Sequence, residues 1–255
     1  MNNALVRTER LVAGMTSLTL QRADKRNALN VALLTQLGDS IENLSRDTRC
    51  RVVVLRGDGP VFCAGLDLTE AAQPATAEAS AEQIRRCLEL MRQSPLIFIG
   101  AAQGAAMAGG AGLLAACDLV VAADDLRIGF PEVRRGLVAA IVSKVVAARV
   151  REGDLRELFL LAEPINAERA RQMGLVQWIV PAEKLHDRAL AMGMAILAGG
   201  PEAVRQTKWL INQRPATVEL ETLQLLHERI RHSDEAREGL AAFKGKREPN
   251  WCDHS

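Results

Sequence analysis

Residues 95–123 read P-L-I-F-I-G-A-A-Q-G-A-A-M-A-G-G-A-G-L-L-A-A-C-D-L-V-V-A-A, and this stretch decides the fold. The apolar run at 96–99 lies between a proline and a glycine, which is typical of a strand buried on both faces. The glycine-rich segment at 109–112 then begins a short helix that ends near Cys117, and a second apolar strand follows. The pattern predicts a buried strand, a glycine turn, a buried helix and another buried strand.

The glycine turn has two interpretations from this stretch alone. A helix start has unpaired N–H groups and a positive dipole end, and glycine lets a ligand approach the main chain closely. Such donors suit an oxygen that gains negative charge during a reaction. Alternatively, the glycines only allow the helix to pack closely on its neighbours.

Other functions of the same stretch are disfavoured. No charged residue occurs from Pro95 to Cys117, as in a membrane span, but Gln103 and the glycines argue against one. Residues 110–115 match G-x-G-x-x-A, yet these glycines are displaced from the preceding predicted strand, whereas in a dinucleotide site they follow it directly. A phosphate loop is disfavoured because no Lys-Ser/Thr pair follows Gly109.

Composition limits the function further. The chain has 255 residues, 48% of them hydrophobic, and a net charge of +1. This suits one large domain, or a domain with an appendage, and gives no nucleic-acid or membrane footprint. The five cysteines form no C-x-x-C pair and the four histidines no H-E-x-x-H motif, so we expect reduced thiols and no metal site. The N-terminus lacks an apolar signal core, which indicates a cytoplasmic protein.

Along the chain, strands alternate with helices at first, and only helices are predicted from residue 182. This predicts a parallel α/β core in residues 1–200 and a helical region in residues 201–255. Asn30 is the predicted N-cap of a helix with one apolar face. Residues 71–82 have few large apolar side chains and are predicted to form a mobile loop. Predicted strands cover residues 4–10, 15–21, 52–55, 96–99, 126–129 and 176–180.

Five motifs in order resemble the crotonase, or enoyl-CoA hydratase/isomerase, family nearly from end to end. They are K-R-N-A-L-N (25–30), F-C-A-G-L-D-L (62–68), G-A-A-M-A-G-G-A-G-L-L-A-A-C-D-L (104–119), F-P-E-V-R-R-G-L (130–137) and A-F-K-G-K-R (242–247). The resemblance implies an α/β, crotonase-like spiral of repeated β-β-α units with a C-terminal helical trimerisation region. It implies a homotrimer or a dimer of trimers that acts on an acyl-CoA, with CoA as part of the substrate and no permanently bound cofactor.

The resemblance also implies the site. The N–H groups of Leu66 and Gly109 would form an oxyanion hole for the thioester carbonyl, and Glu132 would be the catalytic base. The CoA-binding residues would be Lys25, Arg26, Ala28, Ala64, Phe243 and Lys246, the last two often from a neighbouring subunit in this family.

Each role has a structural alternative. Glu132 follows a proline and could cap the next segment. Lys25 and Arg26 could be solvated charges of a turn, while Phe243 and Lys246 could only pack the C-terminal tail.

The carboxylates suggest the reaction. Family hydratases use two glutamates, and the second position is Gly112 here, while Ala140 stands where some other members have an aspartate. A single base can move a proton from C2 to C4, so we expect Δ3–Δ2 enoyl-CoA isomerisation. Burial beside an apolar pocket would raise the pKa of Glu132. Enoyl-CoA hydration, and acyl-CoA binding with weak catalysis, are the alternatives. Glutamate placed at 112 should raise hydration if the backbone tolerates a side chain there.

Overall fold

The computed structural model describes residues 4–252, which contain nine strands and eleven α-helices. The strands are β1 Val6–Val12, β2 Met15–Leu20, β3 Val52–Gly57, β4 Ile97–Ala102, β5 Ala105–Met107, β6 Leu119–Ala123, β7 Arg127–Gly129, β8 Ile165–Asn166 and β9 Trp178–Val180. The helices are α1 Val31–Arg46, α2 Leu68–Ala71, α3 Pro74–Gln93, α4 Gly109–Ala116, α5 Ala140–Ala147, α6 Glu152–Arg156, α7 Ala167–Met173, α8 Leu185–Leu197, α9 Pro201–Asn212, α10 Leu220–Arg231 and α11 Asp234–Gly245.

The larger sheet has the order β1-β2-β3-β4-β6-β9. Its first two strands form an antiparallel hairpin, and every later pair in the sheet is parallel. The residues of β4 are buried throughout, as predicted for a strand covered on both faces. The mixed α/β architecture predicted from the sequence is therefore confirmed.

A smaller sheet, β5-β7-β8, carries the segments of the predicted site. β5 and β7 are parallel, whereas β8 is antiparallel to β7. The sequence analysis did not predict β5, which lies within its glycine turn. Three residues, Ala-Ala-Met, form too short a strand to show a periodicity, and their partners lie far along the chain.

Helices α1 and α3 each begin with a residue that favours a helix start. The Asn30 side chain accepts a hydrogen bond from the Leu33 N–H at 2.9 Å, so the predicted N-cap of α1 is confirmed. The predicted loop at 71–82 is wrong, because α3 covers residues 74–93. Pro74 is at the first helical position, and the alanines that follow are the best helix formers although they bury little area.

The chain forms two compact units, residues 1–191 and 192–255, and the boundary falls within α8. The first unit contains both sheets and a core of buried aliphatic and aromatic side chains. In the second, the Glu235 carboxylate accepts hydrogen bonds from the N–H groups of Glu202 and Ala203 at 2.8 Å, which caps α9. The sequence analysis placed the division at residue 200, and the roles of its two regions stay predictions.

Two further properties concern residues 4–252. No helix there is long and apolar enough to cross a bilayer. No group of three or more His, Cys, Asp or Glu side chains in this range is placed to hold a metal ion. The cytoplasmic location stays a prediction.

Candidate active site

The two predicted oxyanion segments lie side by side. The Cys63 N–H donates to the Ala105 carbonyl at 3.0 Å, and the Met107 N–H donates to the Cys63 carbonyl at 3.0 Å. Continuing both segments brings Leu66 next to Gly109. A Cβ atom built on Gly109 would lie 3.8 Å from Cγ of Leu66. The structure therefore brings these two residues together.

The N–H of Leu66 is directed by the pairing of its neighbours. The Leu29 N–H donates to the Gly65 carbonyl at 2.8 Å, and the Asp67 N–H donates to the Leu29 carbonyl at 2.9 Å. Because alternate residues of an extended segment present their polar groups to opposite sides, the Leu66 N–H points away from Leu29. Within the described residues it has no hydrogen-bond partner.

Gly109 is the first residue of α4, where an N–H has no acceptor inside the helix. The first intrahelical bond is donated by the Gly112 N–H to the Ala108 carbonyl at 2.9 Å. The Gly109 N–H has no partner in the part of the chain that the structure describes. It lies at the positive end of the helix dipole, which favours an anionic oxygen.

The turn before α4 is strained and tightly packed. Ala108 has φ 49° and ψ −118°, a backbone conformation that residues other than glycine rarely adopt. A Cβ on Gly110 would lie 2.7 Å from the Cys63 carbonyl oxygen, so only glycine fits there without a shift of the backbone. The surroundings thus hold the start of α4 against the segment that carries Leu66.

Glu132 emerges from the same edge of the smaller sheet as Gly109. Met107 at the end of β5 pairs with Gly129 at the end of β7, and the two strands are parallel. The chain after β5 leads to Gly109, and the chain after β7 leads through Phe130 and Pro131 to a 3₁₀ turn that begins at Glu132.

The environment of Glu132 favours its neutral form. The side chain is half-buried, and its buried Oε2 has no hydrogen-bond partner among the described residues. Burial raises the pKa of the Glu132 carboxyl, although a backbone N–H and the charge of Arg135 oppose the rise. This confirms the pKa direction expected from the sequence. A carboxylate with a raised pKa accepts a proton more readily than an ordinary glutamate.

Two N–H donors without a partner among the described residues and one half-buried carboxyl group thus lie on segments that leave the same edge of the smaller sheet. Such donors stabilise an oxygen that becomes negative, and the carboxylate can remove the proton that makes it so. The family model for enoyl-CoA hydratase/isomerase matches residues 10–254. The chain belongs to the enoyl-CoA hydratase/isomerase family. Its crotonase-like fold is confirmed, and membership places it among enzymes that act on acyl-CoA thioesters.

Individual relatives agree with this assignment. A Mycosarcoma maydis protein named an enoyl-CoA isomerase/hydratase is 31% identical over 93% of this chain and 92% of its own length. The 2,3-dehydroadipyl-CoA hydratase of Escherichia coli is 32% identical over 92% of this chain and 93% of its own. The crystal structure of a Bacillus anthracis enoyl-CoA hydratase superposes with a TM-score of 0.90 at 31% identity, covering 96% of this chain and 98% of that one.

Four residues proposed to bind CoA belong to the motif at 25–30 and to the segment that carries Leu66. The Ala64 N–H donates to the Arg26 carbonyl at 2.9 Å, which joins the two motifs. Lys25 and Arg26 are exposed, whereas Ala28 is half-buried. Exposed cations beside the site suit the phosphates of CoA.

Phe243 and Lys246 belong to the second unit, at the end of α11. Phe243 is 86% exposed, and Lys246 is exposed in the left-handed conformation with φ 51°. Their proposed contact with CoA stays a prediction.

Asn27 is a residue whose role the sequence analysis missed. It is fully buried with φ 53°, and its side-chain amide donates to the Asp58 and Val61 carbonyls at 2.8 Å. Its Oδ1 accepts from the Arg22 N–H at 2.9 Å. A signal was present, because asparagine tolerates positive φ and pairs with nearby backbone.

Proposed function

We propose that this protein is a Δ3–Δ2 enoyl-CoA isomerase. The Glu132 carboxylate removes a proton from C2 of a 3-enoyl-CoA, and the electron pair delocalises into a dienolate whose negative charge rests on the thioester oxygen. The N–H groups of Leu66 and Gly109 hydrogen-bond that oxygen. Glu132 then returns the proton to C4, which leaves the double bond between C2 and C3.

The observation that carries this proposal is the packing around Gly112. A Cβ built on Gly112 would lie 2.3 Å from Cγ1 of Val142, which is buried on α5. The space that a second carboxylate would need at this position is therefore filled by an aliphatic side chain. Ala140, at the start of α5, has no carboxylate either. Glu132 is left to serve as both acceptor and donor of the proton.

Oxyanion donors and a general base typically contribute enough to the rate to support catalysis. Removing one oxyanion donor typically costs about 2.7–4 kcal/mol of transition-state stabilisation. A positioned general base contributes roughly 10²–10⁴-fold in rate. Both N–H donors lie on backbone that is hydrogen-bonded on either side, so little reorganisation accompanies the development of charge.

Hydration of a 2-enoyl-CoA is the second candidate, and the names of the relatives favour it. Hydration requires activation of water and delivery of a proton to the α-carbon. With a single carboxylate, one group must perform both steps, which disfavours hydration relative to isomerisation.

A comparison of two substrates tests the proposal. Wild-type protein and Glu132→Gln are assayed with trans-3-enoyl-CoA and with trans-2-enoyl-CoA. We expect isomerisation in the wild type and a loss of roughly 10²–10⁴-fold in the variant. Hydration by the wild type at rates equal to isomerisation would refute the single-carboxylate argument. CoA binding without turnover of either substrate would favour the catalytically weak binding protein.

The assembly into a homotrimer or a dimer of trimers, with Phe243 and Lys246 reaching CoA, belongs to the same proposal. Its support is the family resemblance and the exposure of an aromatic side chain at Phe243. Light scattering measures the assembly, and CoA affinity of Phe243→Ala and Lys246→Ala measures the contact. A monomeric protein, or variants with unchanged affinity, would contradict it.

A further inference from the structure

We propose that Arg22 is a positioning residue that holds the Leu66 N–H in the direction of the thioester oxygen. This inference rests on the proposed function, in which that N–H is one of the two oxyanion donors. Arg22 does not touch the reacting atoms in this proposal. It acts through the backbone of two segments that meet beside Leu66.

The contact to be held is a short backbone bridge. Leu29 pairs with Leu66 through the Gly65 carbonyl and the Asp67 N–H, at 2.8 and 2.9 Å. This pairing is what turns the Leu66 N–H to the opposite side, towards the start of α4. An isolated bridge has few bonds to resist rotation or sliding, so its geometry depends on its neighbours.

The Arg22 guanidinium forms hydrogen bonds to both of the segments that this bridge joins. Its Nη1 donates to the Ala28 carbonyl at 2.6 Å, one residue before Leu29. Its Nη2 donates to Oδ2 of Asp67 at 3.0 Å, one residue after Leu66. The side chains of Arg22 and Asp67 are each only 15% exposed, so solvent screens the pair less than a surface ion pair.

The base of Arg22 is itself anchored. Its backbone N–H donates to Oδ1 of Asn27, and the Asn27 amide reaches the Val61 carbonyl on the segment that leads to Leu66. Two contacts therefore join the turn that contains Arg22 and Asn27 to the segment that carries Leu66. One is the bond from the Asn27 amide to Val61, and the other is the bond from the Arg22 guanidinium to Asp67.

The geometry requires arginine rather than any cation. The Ala28 carbonyl and the Asp67 carboxylate lie in different directions, and each accepts from a different nitrogen of the planar guanidinium. A lysine ammonium on its flexible side chain cannot bind both with the same rigidity. The precision matters because oxyanion donors act at about 2.7–3.1 Å from the developing charge.

The test compares Arg22→Met, Arg22→Lys and Asp67→Ala with a matched control, Arg49→Met. Arg49 also pairs with an aspartate, Asp47, at 2.9 Å, but the pair is on an exposed turn. The control thus removes the same charge and an ion pair of the same kind without touching the Leu29–Leu66 bridge.

Three readouts are taken on folded protein, namely kcat and KM for trans-3-enoyl-CoA, the affinity for CoA alone, and the absorption of a bound chromophoric α,β-unsaturated acyl-CoA. Oxyanion donors polarise the thioester carbonyl and shift that absorption to the red. For Arg22→Met we expect kcat to fall by about 10²-fold, the effect of roughly 1 Å of misplacement. KM and CoA affinity should change far less, and the red shift should shrink. Arg22→Lys should recover part of the shift, and Arg49→Met should match the wild type.

A merely structural role for Arg22 would lower stability and leave the red shift of the folded protein intact. An unchanged shift and kcat in Arg22→Met would overturn the proposal. If that variant does not fold, Asp67→Ala decides, because it removes the acceptor of the Arg22 hydrogen bond, and a wild-type shift in Asp67→Ala overturns the proposal equally. Failure of the proposed function has a different signature, in which the wild type itself shows neither turnover nor a red shift.

Discussion

The carbonyl oxygen of Gly129 accepts a hydrogen bond from the N–H of Ala108 at 2.8 Å. This bond joins the strand that leads to Glu132 with the turn that presents the Gly109 N–H. The proposed base and one proposed oxyanion donor are thus placed by adjacent segments of one small sheet. A substitution that displaces either segment is expected to affect proton transfer and oxyanion binding together.

The rate of isomerisation should depend on pH through the Glu132 carboxyl. Burial raises its pKa, and the carboxyl must be ionised to remove a proton. We expect kcat/KM for trans-3-enoyl-CoA to fall as the pH drops through this raised pKa, at a pH above the ordinary glutamate value of about 4.3. The measurement is kcat/KM across the acidic range, which reports the free enzyme. An acid limb at or below the ordinary value would contradict the assignment of Glu132 as the base.

The same burial predicts that Glu132 lowers stability at neutral pH. Its folded pKa is above its unfolded value, so its contribution to the free energy of unfolding is fully present below about pH 4.3 and is lost as the pH rises through the folded pKa. Glu132→Gln has no charge to bury and should be more stable than the wild type at pH 7, with the difference vanishing towards pH 4, roughly the unfolded pKa.

Denaturant unfolding at several pH values measures this difference. Glu163→Gln is the control, because Glu163 is exposed and pairs with Arg134 on the surface. A Glu132→Gln variant that is no more stable than the wild type at neutral pH would show that the carboxyl is solvated rather than buried.

Local rules predicted the parts of this fold that depend on local chemistry. Asn30 begins α1 because its side chain can accept an N–H, and this is visible in the sequence. Only the first part of α3 contradicts the sequence prediction, because residues 74–82 show no apolar periodicity and form a helix through the helix propensity of their alanines. β5 was missed because a three-residue strand exists only through its partners.

For the site, the motifs named Leu66, Gly109 and Glu132, and the structure adds that Leu66 lies next to Gly109 and that Glu132 follows a strand parallel to the one before Gly109. The contact between Gly112 and Val142 was not predictable, because glycine shows no pattern and its neighbour is on another helix. The hydrogen bonds from Arg22 to Ala28 and Asp67 were not predictable either, because a hydrogen bond between distant segments produces no periodicity in the sequence.

The contact between Gly112 and Val142 predicts the outcome of introducing a second carboxylate. Gly112→Glu alone overpacks the interface of α4 and α5 and should lose about 1–3 kcal/mol of stability. Gly112→Glu with Val142→Gly removes the two atoms nearest the new Cβ. We expect this double variant to hydrate trans-2-enoyl-CoA faster than Val142→Gly alone, by up to roughly 10²–10⁴-fold.

Val142→Gly is the matched background because it creates the same cavity without the carboxylate. Folding is followed by circular dichroism and CoA binding by calorimetry. A double variant that folds and binds CoA but hydrates no faster than its background would show that position 112 does not face the reacting carbons.

Because Ala108 is strained, replacing it with glycine is not expected to lower the free energy of unfolding, as an alanine-to-glycine change usually does. Its φ of 49° and ψ of −118° suit glycine, and holding an alanine in such a sparsely populated region costs about 1–3 kcal/mol. Ala108→Gly relieves this strain but adds backbone entropy to the unfolded chain, a cost of roughly 0.5–1 kcal/mol. We expect the free energy of unfolding to stay equal or rise by up to about 2.5 kcal/mol.

Ala79→Gly, within α3, is the matched control and should lose about 1 kcal/mol, as alanine-to-glycine changes in helices do. Denaturant unfolding of both variants in parallel isolates the backbone term, since each removes a single methyl group. Ala108→Gly should also keep the Gly109 N–H in place, because the bond from residue 108 to the Gly129 carbonyl is made by the main chain. Equal losses in both variants would mean that Ala108 is not strained.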